Sequence, residues 1–302
     1  MLHATIDTTK VDLSSRAMLV SLSVGTWTAR KLDKRITQEI NTAHGAAADA
    51  GRYNKSLIAK DALAEIQTIV GAARNDQLRL TLPWQHGGTG ILTVDGFDNW
   101  ADTMRRHREA FEQARADFLA VYPDLIEQAR IRLNGLFNAA DYPDPADLAR
   151  RFYWETRVTP IPTAADFRVD LGAQQTARIQ ADIEAQMNSA VKDAMDNGAR
   201  RMLDAVRKMS DKLAAFKPAE KTGDKTQGIF RDSLVENIRD LCDILPTLNL
   251  TADPEFARLI EQARDGLTKS DADALRNDPD ARKETQKAAA DIADAMASFM
   301  GG

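Results

Sequence analysis

Two stretches of this 302-residue chain repeat apolar residues at intervals of four and three, and no other feature narrows the available folds as far. In the first, Trp100 leads into Met104, His107, Phe111, Ala114, Phe118, Val121 and Leu125, and Ala129, Leu133 and Leu136 continue after a slip near Pro123. In the second, from about Gly172 to Phe216, Ile179, Ile183, Met187 and Val191 step by four. Met202, Val206, Met209, Leu213 and Phe216 then take up the four-three alternation. Such spacing is the signature of helices packed lengthwise. At roughly 1.5 Å per residue the second helix would reach about 65 Å, wider than a compact domain, so its seam requires another long helix from this chain or a neighbour. The expectation is an elongated, antiparallel, coiled-coil-like arm.

Between and before these helices the period changes to two. Ala17–Val24 alternates, as do Leu78, Leu80 and Leu82, then Ile91–Val94 after a Gly-rich connection, then Arg151–Val158 and Asp166–Leu171. These runs predict one small antiparallel sheet whose strands are scattered between helices, a predominantly helical α+β fold. A first helical block, Leu32 to Ile69, is expected to close over Gly71–Asn75. Residues 217–228 carry a Pro, two Gly and no apolar residue larger than Ala, which predicts a solvated linker. The predicted organisation is a sheet with a long arm over 1–216, the linker over 217–228, and a C-terminal helical segment over 229–302. Phe230, Leu234, Ile238, Leu241 and Leu245 begin that segment, and Ile292, Met296 and Phe299 form a narrow stripe near its end. So thin a stripe suits docking on another helix, and with Met202, Val206, Met209 and Leu213 it makes the candidate assembly seam.

Composition removes several function classes. Lys and Arg total 40 against 45 Asp and Glu, a net charge of -5, which excludes an overall basic coat for nucleic acid but leaves room for a local basic face. No apolar run approaches the roughly 20 residues of a membrane helix. The single Cys242 excludes an intramolecular disulfide framework and any CxxC site, and it sits beside the apolar face of the Phe230–Leu245 helix as a small hydrophobe. The first residues, Met1-Leu2-His3-Ala4-Thr5, carry no basic or apolar secretory pattern, which sets a cytoplasmic protein as the expectation.

Chemistry-bearing motifs are sparse. Asp144-Pro145, Asp253-Pro254 and Asp278-Pro279 are three copies of one helix-start signal, an Asp cap with Pro at the first position, rather than cation loops. Gly87-Gly88-Thr89-Gly90 lacks the Lys-Ser/Thr of a phosphate loop and leads into a strand. The four histidines, His3, His44, His86 and His107, are too far apart in sequence for a ligand pair, and no GxSxG, SxxK or HExxH occurs. The reading is therefore non-enzymatic, with no catalytic residue, cofactor, metal or small-molecule substrate assigned. Basic clusters beside aromatics remain: Trp27 with Arg30 and Lys31, Trp100 with Arg105, Arg106 and Arg108, and Trp84 with His86 on the hairpin tip. Converging, they would form a groove for a single strand of nucleic acid or for a protein partner. Interleaved acids such as Asp33, Glu109 and Glu112 favour the plainer alternative of paired, solvated helix faces.

Three further stretches carry a resemblance. Leu82-Pro83-Trp84, Ala140-Asp141-Tyr142-Pro143-Asp144-Pro145 leading to Arg151-Phe152, and Ile161-Pro162-Thr163-Ala164-Ala165-Asp166-Phe167-Arg168-Val169 are similar to a family of tailed-phage and prophage proteins with no established activity. The likeness extends over most of the chain up to the linker and implies a shared fold rather than shared chemistry. It implies a phage or prophage accessory protein, and the helical seams with a mobile joint between them set protein–protein assembly, as a homo-oligomer or with a partner, as the expected role. The alternatives are single-stranded nucleic-acid binding in replication or recombination, and service as cofactor to an AAA-type ATPase.

Overall fold

The computed structural model describes residues 13–85, 88–166, 172–219 and 225–301. The fold is α+β and dominated by helix, as the patterning requires. β1 (Ala17–Gly25) pairs antiparallel with β5 (Thr89–Thr93), setting Leu19 opposite Ile91. β5 pairs in turn with the short β4 (Leu82–Pro83), and with β6 (Tyr153–Thr159) the sheet order is β4-β5-β1-β6. Gly90 has a steric role in the hairpin: a methyl group there would run into the side chain of Thr81. A second, two-stranded sheet joins β2 (Arg30–Leu32) to β3 (Asn54–Ser56). The end of the expected strand Asp166–Leu171 lies outside the described residues.

The helices are α1 (Lys34–Ala43), α2 (Ala64–Leu80), α3 (Val94–Leu133), α4 (Pro145–Arg151), α5 (Ala173–Ala215), α6 (Ser233–Ile244), α7 (Pro254–Leu267), α8 (Ala272–Asn277) and α9 (Pro279–Met300). None is long and apolar enough to cross a membrane. The three Asp-Pro signals all start helices: Asp144, Asp253 and Asp278 each accept first-turn N–H groups at 2.8–3.1 Å. Leu78 and Leu80 are not strand residues. Helix α2 runs through Gly71 to Leu80 because its helix-forming run is unbroken, and Thr81 then turns its hydroxyl back to the Gln77 carbonyl at 2.7 Å. α3 continues through Pro123, and the seam passes from Phe118 to Tyr122, four residues on. Tyr122 is fully buried while Val121 is 48% exposed.

The chain divides into two compact units. One is built from residues up to Ser21, Gln77–Trp100 and Arg157 onward, and the other from Leu22–Asp76 and Ala101–Thr156. In the first, the seam of α5 closes on helices of the same chain. Met202, Val206, Met209 and Leu213 are buried there together with Ile292 and Met296 of α9. Arg282 at the start of α9 lies over the ring of Phe216 just past the end of α5. Phe299 at the end of α9 stacks on Phe256, whose ring borders Gly198, so the two helices run antiparallel. The helix that the seam of α5 requires is therefore the C-terminal helix of the same chain. Seven-residue spacing states which face of a helix is apolar, not which helix covers it.

α5 and the helices beyond 229 share one compact unit. Lys217 and Gln227 exchange backbone hydrogen bonds of 3.1 and 2.9 Å, Phe216 meets Phe230 edge-on at 5.2 Å, and Arg276 donates to the Phe230 carbonyl at 3.0 Å. The apolar residues flanking the polar run anchor it at both ends. The second unit has its own core, in which Trp27 stands edge-to-face on Tyr122 at 5.8 Å and Phe118 meets Phe152 at 5.5 Å, over Leu57, Ile66 and Val70.

Candidate functional site

The tryptophans proposed as contact residues are core residues. Trp27, Trp84 and Trp100 are 4%, 3% and 3% exposed. Trp100 donates its indole N–H to Gln77 Oε1 at 2.6 Å, and Gln77 reaches the Val20 carbonyl at 3.4 Å. Trp84 N–H bonds the Thr89 carbonyl at 3.1 Å and its ring is turned inward, so none of these three tryptophans offers a face for stacking bases. His86 lies outside the described residues. The Arg105–Arg108 cluster is a paired helix face: Arg105 bonds Asp102 and Glu109 at 3.3 and 3.1 Å, Arg106 donates to Thr103 at 3.2 Å, and Arg108 bonds Glu112 at 2.8 Å. His107, on the seam side, hydrogen-bonds Asp76 at 2.8 Å. Cys242 is buried, and loss of water around it pushes its thiol up to about 11. A thiol reagent at pH 8 is expected to leave Cys242 unlabelled in the folded protein and to label it stoichiometrically in denaturant. Fast labelling of the native chain would contradict that burial.

The sequence-predicted residues that do converge are those after Trp27. Pairing of β2 with β3 places Arg30 opposite Ser56 and Lys31 opposite Lys55. Strand alternation sends the first pair to one face and the second to the other. Two lysines facing each other would repel, and the fold answers with carboxylates from distant parts of the chain. Asp141 sits 2.8 Å from Lys31 Nζ and 2.6 Å from Lys55 Nζ, Asp33 lies 3.3 Å from Lys55, and Lys55 also donates to the Leu136 carbonyl at 2.9 Å. Asp33 is at the same time the cap of α1, accepting from Ile36 N–H at 3.1 Å. Burial works against the charge on Lys55, but Asp141 and Asp33 outweigh it and raise the ammonium above its ordinary value. For Asp141 burial likewise opposes ionisation, and Lys31 and Lys55 prevail to hold its carboxyl below the usual range. This four-membered cluster is neutral within itself and organises the small sheet. On the opposite face Arg30 stays exposed and lines a cavity.

The remaining surface feature is the first half of α5. All of this helix's buried residues lie from Ala190 onward. The buried stripe continues toward the N-terminus as Met187, Ile183, Ile179 and Thr176, which are half-buried, while the residues between them, Gln180 apart, are exposed. Over about 17 Å, that one-sided pattern is an apolar stripe that the described residues cover only in part. The sequence marks the same residues by four-residue steps, but the assembly seam it nominates, Met202 to Leu213 with Ile292, Met296 and Phe299, is consumed inside the chain.

No curated protein and no solved structure matches the chain. A family model does: DUF3150, described as a protein of unknown function, matches residues 15–235, through both compact units and into α6. The match starts just before β1, includes the β2–β3 cluster and all of α5, and passes just beyond the polar run. On a match spanning well over half its length, the chain belongs to the DUF3150 family.

Proposed function

We propose that the protein is a non-enzymatic accessory protein, of the tailed-phage and prophage kind its turn and strand motifs resemble, and that it works by assembling with a second copy of itself through the first half of α5. The observation that supports this reading is the change of burial along one stripe. The same helix face is buried from Ala190 on and only half-buried at Met187, Ile183 and Ile179. A helix segment of this length is marginal in water by itself, and covering its apolar stripe is what stabilises it. Residues 173–189 carry only Arg178, Asp182 and Glu184 as charges, so two copies can approach without strong repulsion. A self-complementary helical patch is the ordinary basis of a closed dimer.

Light scattering tests it. The intact chain is expected at about twice its 33.3 kDa mass at micromolar concentration, and Ile183→Glu is expected to weaken association about tenfold or more with its circular dichroism unchanged. A single-chain mass for the intact protein at every concentration, or an equal mass for the variant, would overturn the proposal.

A further inference from the structure

We infer that the cavity on the Arg30 face of the β2–β3 sheet is a binding site for a small organic phosphomonoester, independent of the assembly surface on α5. The cavity has a volume of about 320 Å³ and lies wholly within the second unit, between the segment Thr26–Arg30 and the segment from Ser56 into the start of α2. That volume falls at the lower end of the range for small-molecule sites.

Its lining has the composition of an anion seat. Two cations, Arg30 and Lys60, reach it together with the hydroxyls of Thr26, Thr28 and Ser56 and the amide of Gln67, and no carboxylate lines it. Neither Arg30 nor Lys60 has an ion-pair partner among the described residues. On the opposite face of the same sheet, Lys31 and Lys55 are neutralised by Asp141 and Asp33. The fold thus spends its carboxylates on one face of the sheet and leaves the positive charge of the other uncompensated. A guanidinium and an ammonium with three hydroxyls suit a phosphate dianion, whose oxygens accept several charge-assisted hydrogen bonds at once. No carboxylate lines it to favour a divalent cation instead.

The site is also held in place before any ligand arrives. Ala29 adopts a left-handed conformation at φ 53° although it is not glycine, and its carbonyl accepts from Leu57 N–H at 2.7 Å, locking the turn that presents Arg30. Leu57 and Ser56 are anchored in turn, since Tyr142 donates to the Leu57 carbonyl at 2.7 Å and Arg132 to the Ser56 carbonyl at 2.6 Å. Trp27, Ile58 and Leu63, each less than 5% exposed, give the cavity an apolar floor, and the Trp27 ring is fixed against Tyr122. Phosphate oxygens would sit at the cationic rim and the organic body on that floor. Such preorganisation lowers the ordering cost of binding.

Calorimetric titration of the full chain at constant ionic strength, with AMP as the probe and inorganic phosphate as its competitor, tests the assignment. One saturable AMP site per chain is expected, displaced by phosphate at higher concentration. Arg30→Gln and Lys60→Gln are each expected to weaken AMP about tenfold or more, with thermal melting unchanged because both side chains are exposed. Lys34→Gln, an exposed charge on α1 that does not line the cavity, is expected to bind as the intact chain does. Absence of saturable AMP binding at millimolar concentration would overturn the inference. So would binding that survives both cavity substitutions, or binding weakened equally by Lys34→Gln.

Discussion

Asp141→Asn is expected to lower the unfolding free energy by about 3–5 kcal/mol, because it strands a buried ammonium. The side chains of Lys55 and Asp141 are each 5% exposed and stand 2.6 Å apart, so water cannot take over from the carboxylate when it is neutralised. Lys31, with half its side chain in solvent, can rehydrate, whereas Lys55 keeps only Asp33 and the Leu136 carbonyl. The sign of the pH dependence follows from the direction of the shift. Asp141 titrates lower in the folded chain than in the unfolded one, so its contribution is present above the ordinary carboxylate value near 4 and is lost as pH falls through the folded value. Denaturant unfolding is therefore expected to show a difference between parent and variant that is full at pH 7 and shrinks progressively as pH falls below about 4. A double substitution, Lys55→Met with Asp141→Leu, is expected to recover much of the loss, since a well-packed apolar pair can replace a buried ion pair of similar volume. A variant as stable as the parent at pH 7 would mean that the cluster does not organise the small sheet.

Met296→Ala is expected to cost about 2–5 kcal/mol of stability and to leave the oligomeric mass unchanged. Met296 is completely buried on α9, in the seam that this helix forms with Met202, Val206 and Met209 of α5, all equally buried. Truncation there removes apolar contact and leaves a cavity that neighbouring helices can only partly close. The same substitution on a surface that joined two chains would instead lower the mass of the complex, so thermal melting and light scattering on one sample separate the two assignments. Loss of association with no loss of stability would return these residues to an intermolecular seam.

Features written in a few neighbouring residues were legible from the sequence. Asp144, Asp253 and Asp278 announce helix starts because the cap and the Pro act within one turn. The long helices and the hairpin at Leu82–Thr93 follow from local periodicity and turn chemistry in the same way. What failed depended on partners distant in sequence. The apolar stripe of α5 reads identically whether α3, α9 or another chain covers it, and only tertiary packing chooses α9 for its second half. Trp27, Trp84 and Trp100 sit beside basic residues in sequence, yet their large apolar rings are drawn into cores while the arginines stay outside and pair along the helix. Lys31, Lys55 and Asp141 form one cluster across 110 positions of chain, and Arg30 and Lys60 line one cavity from segments thirty positions apart. No spacing motif encodes such encounters. The one available signal was Arg30 and Lys31 in succession on a strand, which alternation must send to opposite faces.

Under the proposed assembly α5 has two fates, its second half buried by α9 and other elements of the same chain and its first half covered by a second copy. Amide hydrogen exchange followed over a range of protein concentrations addresses both halves in one experiment. Residues 190–215 are expected to exchange slowly at every concentration, and residues 173–189 to exchange fast when dilute and to slow as concentration rises through the association range. Exchange over 173–189 that does not depend on concentration, whether fast or slow throughout, would contradict the account.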